Sequence, residues 1–307
     1  MSVLEPLRRG GKIAVAKALE QIETAPDLAA TADLLDAAYS APLGSVIGLT
    51  GPPGVGKSTL IDRIIADVRE REKTIAIIAV DPSSSISGGA LLGDRTRFVV
   101  DPSDPGVFIR SMAARTRLGG IADLTYPASV LLRALYDIVL VETVGVGQSE
   151  TAVTQVADLV VFCAQPGSGD ALQFMKAGIM EVPDIILVTK GDLQPLARQT
   201  MTDLQGAISL LDVQPALMQC SADRGEGITE MLDWLFEELG QRSSRVKSHR
   251  ERQVLAWMRD QIRARFGSKG AELVSDEDFL KDCTPFLGLN FAFVAIERRF
   301  HDALGPH

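Results

Sequence analysis

The stretch Gly51-Pro52-Pro53-Gly54-Val55-Gly56-Lys57-Ser58 fits G-x-x-x-x-G-K-[ST] and restricts the possible folds more than any other part of this 307-residue chain. It follows an apolar run, Val46–Leu49, and opens a helical stretch, Leu60–Val68. Strand, glycine-rich loop and helix therefore come in the order the motif requires. The glycines let consecutive backbone N–H groups point into one concavity, and the start of the helix adds positive potential there. Gly54, Val55, Gly56, Lys57, Ser58 and Thr59 are the expected phosphate-binding residues, with Lys57 reaching the terminal phosphates and the Ser58 hydroxyl on magnesium.

The chain around this loop has the rhythm such a motif implies. Short runs rich in Val and Ile at 46–49, 75–80, 138–141, 159–163, 185–188 and 216–218 read as buried strands. Helical stretches at 60–68, 130–135, 171–180, 196–211 and 228–239 alternate with them. The expected fold class is α/β, a mostly parallel sheet covered on both faces as in a three-layer P-loop NTPase. Two helices, 12–22 and 28–38, form an N-terminal extension over 1–44 ahead of a nucleotide domain at 45–241. Residues 242–307 form a C-terminal helical segment with a helix at 254–266. At its start Arg242, Arg245, Lys247, Arg250 and Arg252 face one acid, Glu251, and the stretch reads either as a solvated linker or as a docking surface.

Composition narrows the partners. A net charge of -9 and a pI near 5.0 argue against nucleic acid, which needs clustered Lys and Arg. The N-terminus lacks a secretory apolar core, and no run approaches the roughly 20 apolar residues that span a bilayer, so no membrane partner and a cytoplasmic location are expected. Cys163, Cys220 and Cys283 read as small core residues, and His249, His301 and His307 as surface residues without ligand spacing.

Three further constellations carry chemistry. Glu142-Thr143-Val144-Gly145 ends a strand, where a carboxylate can hold magnesium and the Gly145 amide can meet a γ-phosphate. Val146 follows where Ras-type enzymes carry a water-positioning Gln, so hydrolysis is expected to be slow unless another group helps, Gln148 being a weak substitute. Asp81 closes the strand at 75–80 and Asp94 follows a glycine-bearing loop; both read either as magnesium ligands on a mobile switch or as ordinary turn residues. Thr189-Lys190-Gly191-Asp192 and Ser221-Ala222 end the last two strands with the spacing of guanine-reading elements. There the Asp carboxylate accepts from guanine N1–H and the exocyclic amine, while adenine presents the opposite pattern. GTP or GDP is therefore the expected nucleotide. Thr189 stands where Asn is usual and lacks its amide donor.

With these residues assembled, the sequence resembles the GTPase chaperones of adenosylcobalamin-dependent acyl-CoA mutases, a family once labelled arginine/ornithine transport kinases. The resemblance rests on GPPGVGKSTLID at 51–62, VDPSSS and GGALLGDRTR within 80–97, FIRSMAARTRLGG at 108–120, VETVGVGQSE at 141–150 and PGSGDALQ at 166–173. At 113–116 the AART reading departs from the family's glycine-containing turn. The resemblance implies that Ser58, Asp81, Asp94 and Glu142 surround magnesium and that Lys57, Glu142, Asp94 and Lys176 serve catalysis. Lys176 would swing toward the nucleotide from a mobile loop and offset Val146; taken alone, it reads as a solvated helix residue. The implied partners are a cobalamin-dependent acyl-CoA mutase, an adenosyltransferase, and a second copy held through the 242–307 helices as a dimerisation arm. Two other readings remain: an ATP-dependent small-molecule kinase, and a metal insertase of the same GTPase class. The guanine-reading elements disfavour the first, and the lack of a His- or Cys-rich store disfavours the second.

Overall fold

The structure, a computed structural model, describes residues 3–82, 98–114, 124–143, 152–167, 183–273 and 284–304. Seven strands make one sheet: β1 (Ser45–Thr50), β2 (Ile75–Pro82), β3 (Val107–Ala114), β4 (Ile138–Glu142), β5 (Leu159–Ala164), β6 (Ile185–Val188) and β7 (Ala216–Gln219). Their order is β3-β2-β4-β1-β5-β6-β7, and every neighbouring pair is parallel. The described residues include eight α-helices, α1 (Glu5–Thr24), α2 (Ala29–Ser40), α3 (Lys57–Glu70), α4 (Thr125–Arg133), α5 (Leu196–Ile208), α6 (Ile228–Gln241), α7 (Ser243–Ala271) and α8 (Pro285–Leu304). The α/β class expected from the alternating pattern is the class observed.

The sheet packs by simple alternation. On one face Leu60, Ile61, Ile64 and Val68 of α3 and Met231, Leu232 and Leu235 of α6 join Ile47, Leu49, Ile77, Leu140, Val161 and Leu187 in one buried cluster. The intervening residues Phe162, Ile186 and Val188 face the other way and meet Ala197, Leu204 and Ile208 of α5. Each large aliphatic side chain so buried contributes about 1.5–3 kcal/mol.

Three local expectations shift. β3 was not anticipated, because Arg110 and Ser111 interrupt its apolar run; it is an edge strand, where one side needs no apolar cover. α4 begins at Thr125 rather than at 130, with Pro127 in its first turn, a position that costs a helix no hydrogen bond. The basic stretch after Arg242 is helix rather than linker: α7 runs from Ser243 and is broken only at Gly267, whose φ is 71°. Helix-compatible Arg, Lys and Gln dominate its start, and no Pro or Gly intervenes before that break. The expected helix at 171–180 lies outside the described residues.

By contacts the chain forms two compact units. One, Gly44–Thr125 with Tyr136–Ser243, holds the sheet with α3, α5 and α6. The other, Met1–Leu43, Tyr126–Leu135 and Ser244–His307, is helical. Within it Trp257 lies between Tyr126 and Phe286, at ring-centroid separations of 5.5 and 5.2 Å. Asp36 of α2 accepts from the Phe286 and Leu287 N–H groups at 2.9 and 3.0 Å and so caps α8. No helix of the described residues is long and apolar enough to cross a membrane.

Candidate nucleotide site

β1 sits between β4 and β5, and the chain leaves it through α3 for β2 on one side but later returns to β5 on the other. Open parallel sheets bind ligands at the carboxyl ends of strands beside such a reversal. The motif residues stand at that edge. Gly51 has φ 140°, and a Cβ there would lie 2.4 Å from the Cys163 carbonyl oxygen, so only glycine lets the loop leave β1 this close to β5. Gly56, at φ 100°, precedes the first residue of α3 in the left-handed region, which turns the chain from loop to helix. Lys57, Ser58 and Thr59 then form the first turn of α3, where N–H groups lack helical partners.

Lys57 is 6% exposed, and its ammonium donates to the Gly51 oxygen at 2.7 Å and the Pro52 oxygen at 3.1 Å. Those carbonyls fix the cation within the loop. Glu142 ends β4 and is 3% exposed, so a carboxylate stands at the next strand end. The Cys163 thiol is pushed far up, first by burial and next by Cys220, while Lys57 pulls it down and Glu142 raises it. Thr143 pins the β4 end to β1: its N–H donates to Leu49 and its hydroxyl to the Thr50 hydroxyl at 2.9 Å.

A hard divalent ion fits this donor set. Magnesium sites that also use phosphate oxygens need one or two carboxylates and a hydroxyl. The Ser58 hydroxyl at the start of α3 and the buried Glu142 carboxylate supply those chemistries on adjacent strand connections. Among the described residues no group of three His, Cys, Asp or Glu side chains gathers as an all-protein cage. Asp81 is described through its backbone in β2, paired in register with Ala113. Asp94, Gly145 and Lys176 lie outside the described residues.

The expected base-reading elements bond directly to the expected phosphate loop. Thr189, 4% exposed, donates its hydroxyl to the Val55 oxygen at 2.7 Å, and its N–H donates to Ala164. Lys190, at φ 51°, donates its ammonium to the Gly54 oxygen at 2.8 Å, which lays its stem along the loop. Asp192 accepts from the Ser221 hydroxyl at 2.7 Å. Its carboxyl therefore sits below the ordinary value of 3.8, chiefly through that bond. Ser221 and Glu226 form a two-way backbone bridge that closes the loop containing Ala222. So Lys57, Thr189, Lys190, Asp192, Ser221 and Ala222 belong to one hydrogen-bonded frame at the strand ends.

Sequence reading passed over two members of this frame. Thr50 looks like any strand-end residue, and Arg63 like any solvated helix residue, yet Arg63 bonds backbone carbonyls of the Ala222 loop. Neither carries a periodic or motif signal. The two described cysteines are core residues, Cys163 at 0% and Cys220 at 2% exposure, with burial pushing the Cys220 thiol up to about 12.

Known proteins resemble this chain over most of its length. The model of a family described as "Methylmalonyl Co-A mutase-associated GTPase MeaB" matches residues 15–272. A Pyrococcus abyssi protein named as a GTPase is 39% identical over 82% of this chain and 80% of its own length. The mouse "Methylmalonic aciduria type A homolog, mitochondrial" is 41% identical over 71% of this chain, a match that spans 55% of the mouse protein. Among solved structures, an LAO/AO transport system kinase superposes with a TM-score of 0.68 at 27% identity, covering 96% of each chain. HypB from Helicobacter pylori in complex with nickel, at TM-score 0.52 and 15% identity over 68% of this chain and 94% of its own, shares the fold.

Proposed function

We propose, since this chain belongs to the MeaB family of methylmalonyl Co-A mutase-associated GTPases, that it is a GTP-hydrolysing chaperone that gates adenosylcobalamin delivery to a cobalamin-dependent acyl-CoA mutase and protects that enzyme. The observation that carries the nucleotide half is the direct bonding of Thr189 and Lys190 to the Val55 and Gly54 carbonyls. A strand end that reads the base is thereby tied to the loop that holds phosphate. The family supports the mutase half.

Lys57 and the first-turn N–H groups of α3 orient the triphosphate, and the Asp192 carboxylate selects guanine by accepting from N1–H and the amine. Ser58 and Glu142, with Asp81 and Asp94, are the proposed holders of magnesium, which neutralises charge on the β- and γ-phosphates. Val146 cannot position water, so turnover by the chain alone is slow. Docking of the mutase would bring Lys176 to the transferring phosphoryl group, where a cation stabilises developing charge. The 242–307 helices serve a homodimer, an adenosyltransferase is a second partner, and the setting is the cytoplasm. The kinase reading is the weaker one, because a carboxylate that accepts at the base edge suits guanine rather than adenine.

The test is GTP turnover by the purified chain, alone and with a purified cobalamin-dependent mutase. Stimulation of about tenfold or more is expected, the effect of a supplied cation in other GTPases being larger still. Lys176→Ala should abolish the stimulation while leaving GTP binding intact. Equal turnover with and without mutase contradicts the chaperone reading.

A further inference from the structure

Arg63 lies on α3, five residues after Ser58, and its side chain is exposed. Its guanidinium spans to the loop after β7: Nε donates to the Ala222 oxygen at 2.7 Å and a terminal nitrogen to the Asp223 oxygen at 3.4 Å. These two segments are 159 and 160 residues apart in sequence. An arginine is suited to this, because its planar fork holds two acceptors in fixed relative orientation.

The loop it holds has little else to fix its outer edge. Ser221 and Glu226 close its base with bonds of 2.9 and 3.1 Å, and within it Gly225 N–H reaches the Ala222 oxygen at only 3.4 Å. The Ala222 N–H belongs to the peptide whose oxygen, on Ser221, already accepts from Glu226. Arg63 grips the other side of Ala222, its own carbonyl. The two anchors together set the direction of the Ala222 N–H. In a guanine site, that N–H is the backbone donor available to the O6 oxygen, on the other side of N1 from the amine that Asp192 reads.

We infer that Arg63 is a positioning residue for guanine O6 recognition: by holding the Ala222 and Asp223 carbonyls from the helix that carries the phosphate-binding lysine, it aims the Ala222 N–H at the base. The inference rests on the proposed guanine site and adds a residue that touches neither base nor phosphate. The device also links the two ends of the nucleotide, since α3 starts at Lys57 and Arg63 is its seventh residue. Any shift of α3 on phosphate binding is passed to the base loop through the guanidinium.

The experiment measures affinities of wild type, Arg63→Ala and Arg63→Lys for GDP, inosine diphosphate and 6-thioguanosine diphosphate, with thermal melting to check the fold. Inosine lacks only the amine, and the thio analogue weakens only the O6 acceptor. Arg63→Ala is expected to weaken GDP and inosine diphosphate by about five- to twentyfold, the scale of a partly exposed charged hydrogen bond. The thio analogue should change by less than about twofold, so that discrimination against it shrinks, and lysine should restore part of the loss. Equal weakening of all three ligands, or no weakening of GDP, overturns the inference while leaving the guanine site standing. Failure of wild type to bind GDP overturns both.

Discussion

Thr189 shows how a departure from a motif can keep its mechanical purpose. The usual Asn would offer an amide; here a hydroxyl donates to the Val55 oxygen, in a position 4% exposed. Thr189→Val preserves shape and removes that donor. Val55 is fully buried, so its carbonyl would lose its hydroxyl partner without gaining water, at a cost of about 1–2 kcal/mol. Chemical denaturation should show that loss together with weaker GTP binding; an unchanged midpoint and affinity would mean the bond contributes nothing. Asp192 makes a second prediction. Its carboxyl lies below 3.8, mainly because of the Ser221 hydroxyl. A depressed value means that the charged form's contribution is complete above the ordinary pKa and disappears only as pH falls through the lower folded value. GTP affinity should therefore stay flat from about pH 8 to about pH 5 as far as this group is concerned, and Ser221→Ala should move the acid limit upward. Affinity of that variant tracking wild type at every pH would show that the hydroxyl does not tune the carboxylate. At this scale the motif residues were legible because phosphate binding demands a fixed spacing of glycine, lysine and hydroxyl. Thr50 and Arg63 were not: Thr50 pairs with a hydroxyl 93 residues away, and Arg63 with backbone carbonyls, which leave no trace in side-chain pattern.

Elements tell a similar story through burial. β1, β2, β4, β5 and β6 are runs of Val, Ile and Leu because both faces are covered, and such runs can be read directly from sequence. β3 escaped because its edge position tolerates Arg110 and Ser111. The length of α7 escaped for a different reason: its charged first half lacks an apolar stripe, while its propensity is helical up to the break at Gly267. The start of α8 depends on a distant cap. Asp36, raised above 3.8 mainly by burial, accepts two N–H groups of that first turn. Asp36→Ala removes both acceptors and is expected to cost about 1–2 kcal/mol. Asp36→Asn keeps one acceptor and removes a buried charge, so it should fall within about 1 kcal/mol of wild type. Equal destabilisation by both variants would contradict a capping role and point to packing alone.

At the scale of the molecule, the sheet unit carries a frame in which one helix and four strand ends are laced together by Lys57, Thr143, Thr189, Lys190 and Ser221. The helical unit is built separately from segments at both ends of the chain and one internal stretch. Membership of the MeaB family supplies the GTPase activity, and on the proposed reading the frame meets both ends of that nucleotide. The claim underneath is that guanine and polyphosphate are recognised together by one preorganised site. Calorimetric titration of the purified chain with magnesium complexes of a non-hydrolysable GTP analogue and its ATP counterpart addresses it directly. The account predicts saturable 1:1 binding of the guanine compound, tighter than the adenine compound by about a hundredfold or more, as expected when a carboxylate meets donors in one base and an acceptor in the other. Equal affinity for the two, or no saturable heat with either, would contradict it.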